Sequence, residues 1–136
     1  MANFPAIVTQ VRKRYDIRVK RWRTSMSGKS WRVYYADGTA VNWIEAPRPK
    51  TALSLGIFLH EVGHHVIGFD KYKRRCEEEF HVWQWALAEM QRLGVAPDER
   101  VLRRVDLSMR YAVAKALRRG IRELPEGLDI FRPKAA

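Results

Sequence analysis

The sequence contains a single cysteine, Cys76, among 136 residues. One thiol cannot form a disulfide within the chain, and an unpaired cysteine fits a reducing compartment. The chain also lacks a run of about 18 apolar residues, which a membrane-spanning helix needs, and it lacks the apolar core and cleavage site of a secretory signal. These absences predict a cytoplasmic protein with no membrane partner.

Acidic residues are scarce relative to basic ones. Lysine and arginine number 26 against 15 aspartate and glutamate residues, which gives a formal charge of +11. The basic residues concentrate in residues 12–32 and residues 100–122. A positive field of this kind attracts polyanions or an acidic protein, and it carries no information about the fold.

Length and composition predict one globular domain. The 136 residues are 46% hydrophobic and 30% charged, which is enough to bury one core and too short for two ordinary domains. We expect a single domain over residues 1–124, followed by an irregular tail over residues 125–136.

The first third of the chain predicts one helix and then strands. In FPAIVTQVRKRY, Ile7, Val11 and Tyr15 recur at spacings of four, as on an amphipathic helix. The segments IRVKRW, WRVYYA and TAVNWIEA that follow are rich in β-formers, and Asp37-Gly38 between the last two is a hairpin signal. We therefore expect three antiparallel strands.

The remainder predicts three helices. The first runs from near Thr51 to Gly68, and the second from Cys76 to Gly94 with acidic residues in its first turn. The third is capped by Asp98 and ends at Gly120. Its expected apolar face comprises Leu102, Val105, Met109, Val113 and Leu117. The resulting fold class is α+β, with the first of these three helices lying against the sheet.

That helix contains LHEVGHHVIG, which concentrates histidines in an apolar setting. Residues four apart share one helical face, so His60 and His64 can direct nitrogens to one point, and Glu61 can reach a water there. H-E-x-x-H on a helix is the zincin signature, with two metal ligands and a general base. His65 is rotated about 100° from His64, so we expect it to pack or face the surface. Gly63 costs the helix about 1 kcal/mol relative to alanine, which suggests a close approach by another element.

A catalytic zinc site requires a third protein ligand. The next helix offers several donors near its start: Cys76, Glu77, Glu78, Glu79 and His81. A cysteine is more typical of structural zinc sites, and acids in a first helical turn also interact with the helix dipole. The spacing alone leaves the third ligand open.

HEVGHH followed by EEEFHVWQWA resembles the ImmA/IrrE-type metallopeptidases, whose pattern is H-E-x-G-H and then E-x-E-A-N-x-F-A. More broadly, the chain resembles a minimal gluzincin with a zincin-like domain. The resemblance implies Zn²⁺ as the cofactor and Glu79 as its third ligand, with Glu78, Glu77 and His81 as alternatives. Phe80 stands where the family has a small residue.

The resemblance implies a peptidase that acts on a protein or peptide substrate, such as a regulator or repressor. Glu61 would be the catalytic base, and an edge strand in residues 31–36 or residues 41–45 would hold the substrate. The group that stabilises the oxyanion stays open among four residues: Tyr72, His65, His81 and Tyr111.

A nucleic-acid-binding module is the alternative. KRWRTSMSGKSWRVYY interleaves basic and aromatic residues, as surfaces that stack single strands do, although strand alternation gives the same pattern. In this reading the metal is structural or vestigial. SprT-like proteases, which use a third histidine and act on DNA-bound proteins, suggest His81 as a ligand and a protease recruited to DNA.

Overall fold

The computed structural model describes residues 2–134, so Met1, Ala135 and Ala136, including the end of the predicted tail, lie outside the description. The described chain is α+β, as predicted. Its elements are α1 (Phe4–Tyr15), β1 (Ile17–Arg23), β2 (Lys29–Tyr34), β3 (Ala40–Pro47), α2 (Ala52–Ile67), α3 (Arg75–Arg92), α4 (Glu99–Arg118) and a 3-10 turn (Asp129–Phe131).

The sheet is mixed, which corrects the prediction of three antiparallel strands. Its order is β1-β3-β2, with β1 parallel and β2 antiparallel to β3. The hairpin between β2 and β3 is confirmed, and its turn contains Gly38 at a φ of 90°. Strand β3 has no basic residue and buries Ile44 and Ala46. The lysine- and arginine-rich strands occupy the two edges, where charge discourages pairing with other chains.

The strand order also decides which predicted segment can hold a substrate. Residues 41–45 belong to β3, which is paired on both sides, so that part of the prediction is wrong. The other segment, residues 31–36, begins in β2, which is paired on one side only. Strand β2 therefore offers a free edge.

Helix α2 is the central element of the fold. It begins near Thr51, as predicted, where the Thr51 side chain forms a capping box with Ser54, and it ends before Gly68. Most of its residues are buried between the sheet and the other helices, and Phe58 and Leu59 are fully buried. Burial at this level fixes α2 rigidly and with it the histidines that it carries.

Helix α4 is capped by Asp98, which accepts a hydrogen bond from the Val101 backbone. Met109 and Val113 of its predicted apolar face are buried, whereas Leu102 is 53% exposed and its neighbour Val101 is buried instead. Val101 lies next to Gly56 of α2, a contact that the spacing of apolar residues does not specify.

The segment after α4 is irregular apart from the 3-10 turn. Leu128 and Phe131 in this segment are nevertheless buried in the same core as the helices. Among residues 2–134, no helix is both long and apolar enough to cross a bilayer.

Candidate metal centre

His60 and His64 lie one turn apart on α2 and face Glu79 from α3. The His60 Nε2 is 2.7 Å from Glu79 Oε2, and the His64 Nε2 is 3.2 Å from Glu79 Oε1. One ligand atom from each of the three residues lies within 4.8 Å of the others. The structure thus brings together the three residues that the sequence predicted as ligands, in an arrangement that could hold a metal ion.

Gly63 explains how α3 comes so close to α2. A Cβ atom at this position would lie 2.9 Å from Val82 Cγ1 and 3.1 Å from Trp85 Cε3, both on α3. A side chain would therefore push the helices apart. The expected close approach at Gly63 is confirmed, and it sets the distance between the histidines and Glu79.

The donor set suits a divalent metal chemically as well as geometrically. Two imidazoles and one carboxylate are the ligands of many catalytic zinc sites. Burial lowers the pKa of His60, but hydrogen bonds to Glu61 and Glu79 and their negative charges outweigh it and raise the pKa to about 9. Burial raises the pKa of Glu79, yet hydrogen bonds from both histidines hold it well below its usual range. The carboxylates around His60 therefore favour a positive charge at this position.

Glu78 orients His64 and does not face the three-residue group. The His64 Nδ1 donates to Glu78 Oε2 at 2.8 Å, and both side chains are buried. This hydrogen bond holds the imidazole ring with its other nitrogen, Nε2, facing Glu79. A carboxylate behind a histidine ligand is a common feature of metal sites, and the sequence did not distinguish this role from that of a ligand.

The other predicted alternatives lie away from the group. His81 stacks on Tyr72 with ring centroids 4.2 Å apart. Glu77 is half-buried and lines a separate depression with Arg74 and Glu123. Neither side chain joins the three donors within the described residues.

Glu61 is buried beside His60, in a niche formed by residues that the sequence did not predict. Its Oε1 accepts a hydrogen bond from Ser30 Oγ at 2.6 Å, and its Oε2 lies 3.3 Å from His60 Nδ1. A Cβ on Gly28 would lie 2.6 Å from both Cγ and Oε2 of Glu61, so only glycine leaves room for the carboxylate. The one sequence signal was the small-residue run SMSGKS between two strands.

The pKa of Glu61 keeps its carboxylate ionised. Burial raises this pKa, but the hydrogen bond and positive charge of His60 and the hydrogen bond from Ser30 lower it below its ordinary value. An ionised carboxylate next to the donor group has the charge that a proton acceptor needs.

Arg75 was also missed. Its Nη2 lies 3.2 Å from Glu79 Oε1, and its Nη1 donates to Glu78 Oε2 at 3.5 Å, while two thirds of its side chain is exposed. It therefore connects the two carboxylates at the surface of the centre.

The four oxyanion candidates are separated by their positions. The His65 Nε2 donates to the Trp43 carbonyl at 3.0 Å, and burial lowers the pKa of His65, so it serves the packing of α2 on the sheet. Tyr72 and His81 stack on each other. Tyr111 lines a cavity whose wall includes Glu79. Of the four, Tyr111 lines the same cavity as one of the three donors, Glu79.

Comparisons of the chain with protein-family models, with curated proteins and with solved structures found no match.

Proposed function

We propose that this protein is a zinc-dependent peptidase of the minimal gluzincin type. The observation that carries the proposal is the convergence of His60 Nε2, His64 Nε2 and the Glu79 carboxylate, with ligand atoms within 4.8 Å of one another. The resemblance of the two motifs to the ImmA/IrrE-type metallopeptidases supports the same assignment.

His60, His64 and Glu79 would hold the zinc ion. Nitrogen and carboxylate ligands in a set of three, with an outer carboxylate on one imidazole, favour zinc over the harder ions magnesium and calcium. When bound, zinc supplies a Lewis acid that polarises the scissile carbonyl and lowers the pKa of a water toward about 7. Glu78 keeps the His64 ring in the orientation and tautomer that ligation requires.

Glu61 would act as the general base. It lies beside His60 and is ionised, so it can accept the proton of the attacking water and return it to the leaving amine. Ser30 fixes one carboxylate oxygen through its hydroxyl, so the other oxygen, which lies beside His60, would carry the proton. Ser30 and Gly28 are therefore positioning residues for this step.

The edge of β2 would hold the substrate. Ser30 of this strand contacts Glu61 directly, so a peptide added along the free edge of β2 passes close to the base. Main-chain hydrogen bonds of this kind hold a substrate extended with little dependence on its sequence. The resemblance further suggests a cytoplasmic role in cleaving a regulator such as a repressor.

The test is cleavage of fluorescein-labelled casein by the zinc-loaded protein and by Glu61→Gln. Loss of a general base is expected to lower turnover by about 10²- to 10⁴-fold, while zinc content by metal analysis stays unchanged. Glu77→Gln is the matched control, because Glu77 is a glutamate outside the centre. Equal cleavage by Glu61→Gln and the parent protein would reject the proposal.

A nucleic-acid-binding function is the second candidate, and one observation favours it. On the sheet face opposite α2, Trp31 and Trp43 stack with ring centroids 6.4 Å apart, with Lys29 over the first ring and Lys20 over the second. Cations next to aromatic rings form surfaces for single strands. Binding of a fluorescent single-stranded oligonucleotide that weakens steeply with salt and is reduced in Trp31→Ala would support it, and absence of binding at low salt would reject it.

A further inference from the structure

A cavity of about 800 Å³ opens beside the candidate metal centre. It lies between the start of α3 and one face of α4, and Glu79 forms part of its wall. A volume of this size accommodates several amino-acid side chains. Any group that fills it lies next to a proposed metal ligand.

The wall of this cavity carries several positive charges that form no ion pair within the described residues. Five basic side chains line it without an ion pair to any carboxylate in residues 2–134: Lys73, Arg74, Arg104, Lys115 and Arg119. The sixth, Arg75, pairs with the two glutamates of the metal centre. Clustered cations repel one another, so an anionic occupant would stabilise the arrangement.

Two other arginines of α4 have carboxylate partners on the same helix. Arg103 pairs with Glu99, and Arg110 pairs with Asp106, each one helical turn away. Both of these arginines lie outside the cavity lining. Arg100 and Arg118 of α4 also have no carboxylate partner among residues 2–134 and lie outside the lining, so what distinguishes the cavity is that five such cations surround one concave wall.

Apolar groups lie between the cations. Leu107 and Tyr111 line the cavity and are 59% and 64% exposed, respectively. Exposed apolar side chains inside a charged rim mark a surface that is covered by a partner. A concave, partly apolar site fits acidic peptide side chains interleaved with apolar ones better than a phosphate backbone, which requires an extended basic track.

We infer that this cavity, formed by the start of α3 and the adjoining face of α4, binds an acidic, partly apolar segment of the protein substrate next to the bond that is cleaved. The inference rests on the proposed peptidase function and adds the substrate class. Arg104 also connects the cavity to the catalytic niche, because its Nη1 donates to the Met26 carbonyl at 2.7 Å, two residues before the Gly28 that covers Glu61.

The experiment measures binding without cleavage, in the zinc-loaded Glu61→Gln protein. The probe is a fluorescein-labelled peptide of alternating glutamate and leucine, compared by fluorescence anisotropy with the corresponding glutamine and leucine peptide. The acidic peptide is expected to bind more tightly. Arg104→Gln and Lys115→Gln should each weaken it by about threefold to fivefold, and the double variant by roughly tenfold or more.

Arg103→Gln is the matched control, because it removes the same charge from the same helix outside the cavity. Its effect on the affinity should be less than about twofold at moderate salt, where distant exposed charges are screened. Since Arg104 also contacts the loop before β2, Lys115→Gln separates loss of charge from any change in that loop.

Several results would overturn the inference. The first is equal affinity for the two peptides, and the second is an effect of Arg103→Gln as large as that of Lys115→Gln. The third is acidic-peptide binding that is unchanged in both cavity variants and is lost when zinc is removed, which would indicate that the peptide binds the metal directly. Displacement of the peptide by a single-stranded oligonucleotide whose binding depends on Lys115 would assign the cavity to nucleic acid instead. Casein that stays uncut while the peptide binds as expected would reject the peptidase function and leave the binding site intact.

Discussion

Helix α3 carries buried glutamates at both of its ends, and what faces them differs. At the N-terminal end, Glu78 and Glu79 face the imidazoles of His64 and His60. Near the C-terminal end, Glu89 accepts hydrogen bonds from the Tyr15 hydroxyl and the Arg92 guanidinium. Glu78 and Glu89 are equally buried, so burial does not distinguish a reactive site from a structural one.

The groups that face the carboxylates distinguish the two ends of the helix. An imidazole can release its proton and offer a lone pair to a metal, whereas a guanidinium stays protonated under all ordinary conditions. Burial and the hydrogen bond and charge of Glu89 raise the pKa of Tyr15, so its hydroxyl also remains a donor. The Glu89 cluster is therefore closed to metal, and the histidine cluster can exchange a proton for a cation.

The largest expected effect that separates the two ends is that of Glu79→Gln on zinc affinity. Removal of the charged ligand should weaken zinc binding by more than the roughly 10- to 100-fold loss that is typical when a carboxylate behind a histidine ligand is removed. Titration against a zinc-chelating indicator measures this affinity. Glu89→Gln is the matched control and should bind zinc as the parent does, because Glu89 faces no imidazole.

A zinc affinity of Glu79→Gln within about threefold of the parent would contradict this assignment. The third ligand would then have to be sought elsewhere, and Glu78, already in contact with His64, would be the next residue to test.

Local sequence patterns predicted the parts of the structure that depend on local geometry. The helical positions of His60 and His64, the start of α2 near Thr51 and the hairpin turn at Gly38 each depend on residues within a few positions of one another. The structure has all of them where the sequence placed them. Their physical cause is contained in a short stretch of chain.

The features that the sequence did not predict depend on distant contacts. Strand β1 pairs in parallel with β3, from which it is separated in sequence by β2, so no turn residue next to β1 indicates its partner or direction. Three consecutive glutamates point in directions about 100° apart on a helix, so only the docking of α3 on Gly63 decides which one faces the histidines. Ser30 and Gly28 are also distant from Glu61 in the sequence, and they contact it only because α2 packs on the sheet.

A smaller effect is expected at Glu78, whose carboxylate supports a ligand without being one. Glu78→Gln should lower zinc affinity by about 10- to 100-fold, because the amide holds the His64 ring less firmly and makes it less basic. The same indicator titration measures it, with Glu77→Gln as the control on the neighbouring position. If Glu78→Gln weakened zinc binding more than Glu79→Gln, the roles of the two glutamates would be exchanged.

The smallest expected effect concerns the other end of the helix. Tyr15→Phe removes one hydrogen bond to Glu89 while Arg92 remains, so the free energy of unfolding should fall by about 1 kcal/mol. Urea unfolding followed by tryptophan fluorescence measures this change, and zinc affinity should stay as in the parent. A fall in zinc affinity comparable to that of Glu78→Gln would mean that α3 transmits strain along its length. The distance of Glu79 from the histidines would then be set by both ends of the helix, and not by the contact at Gly63 alone.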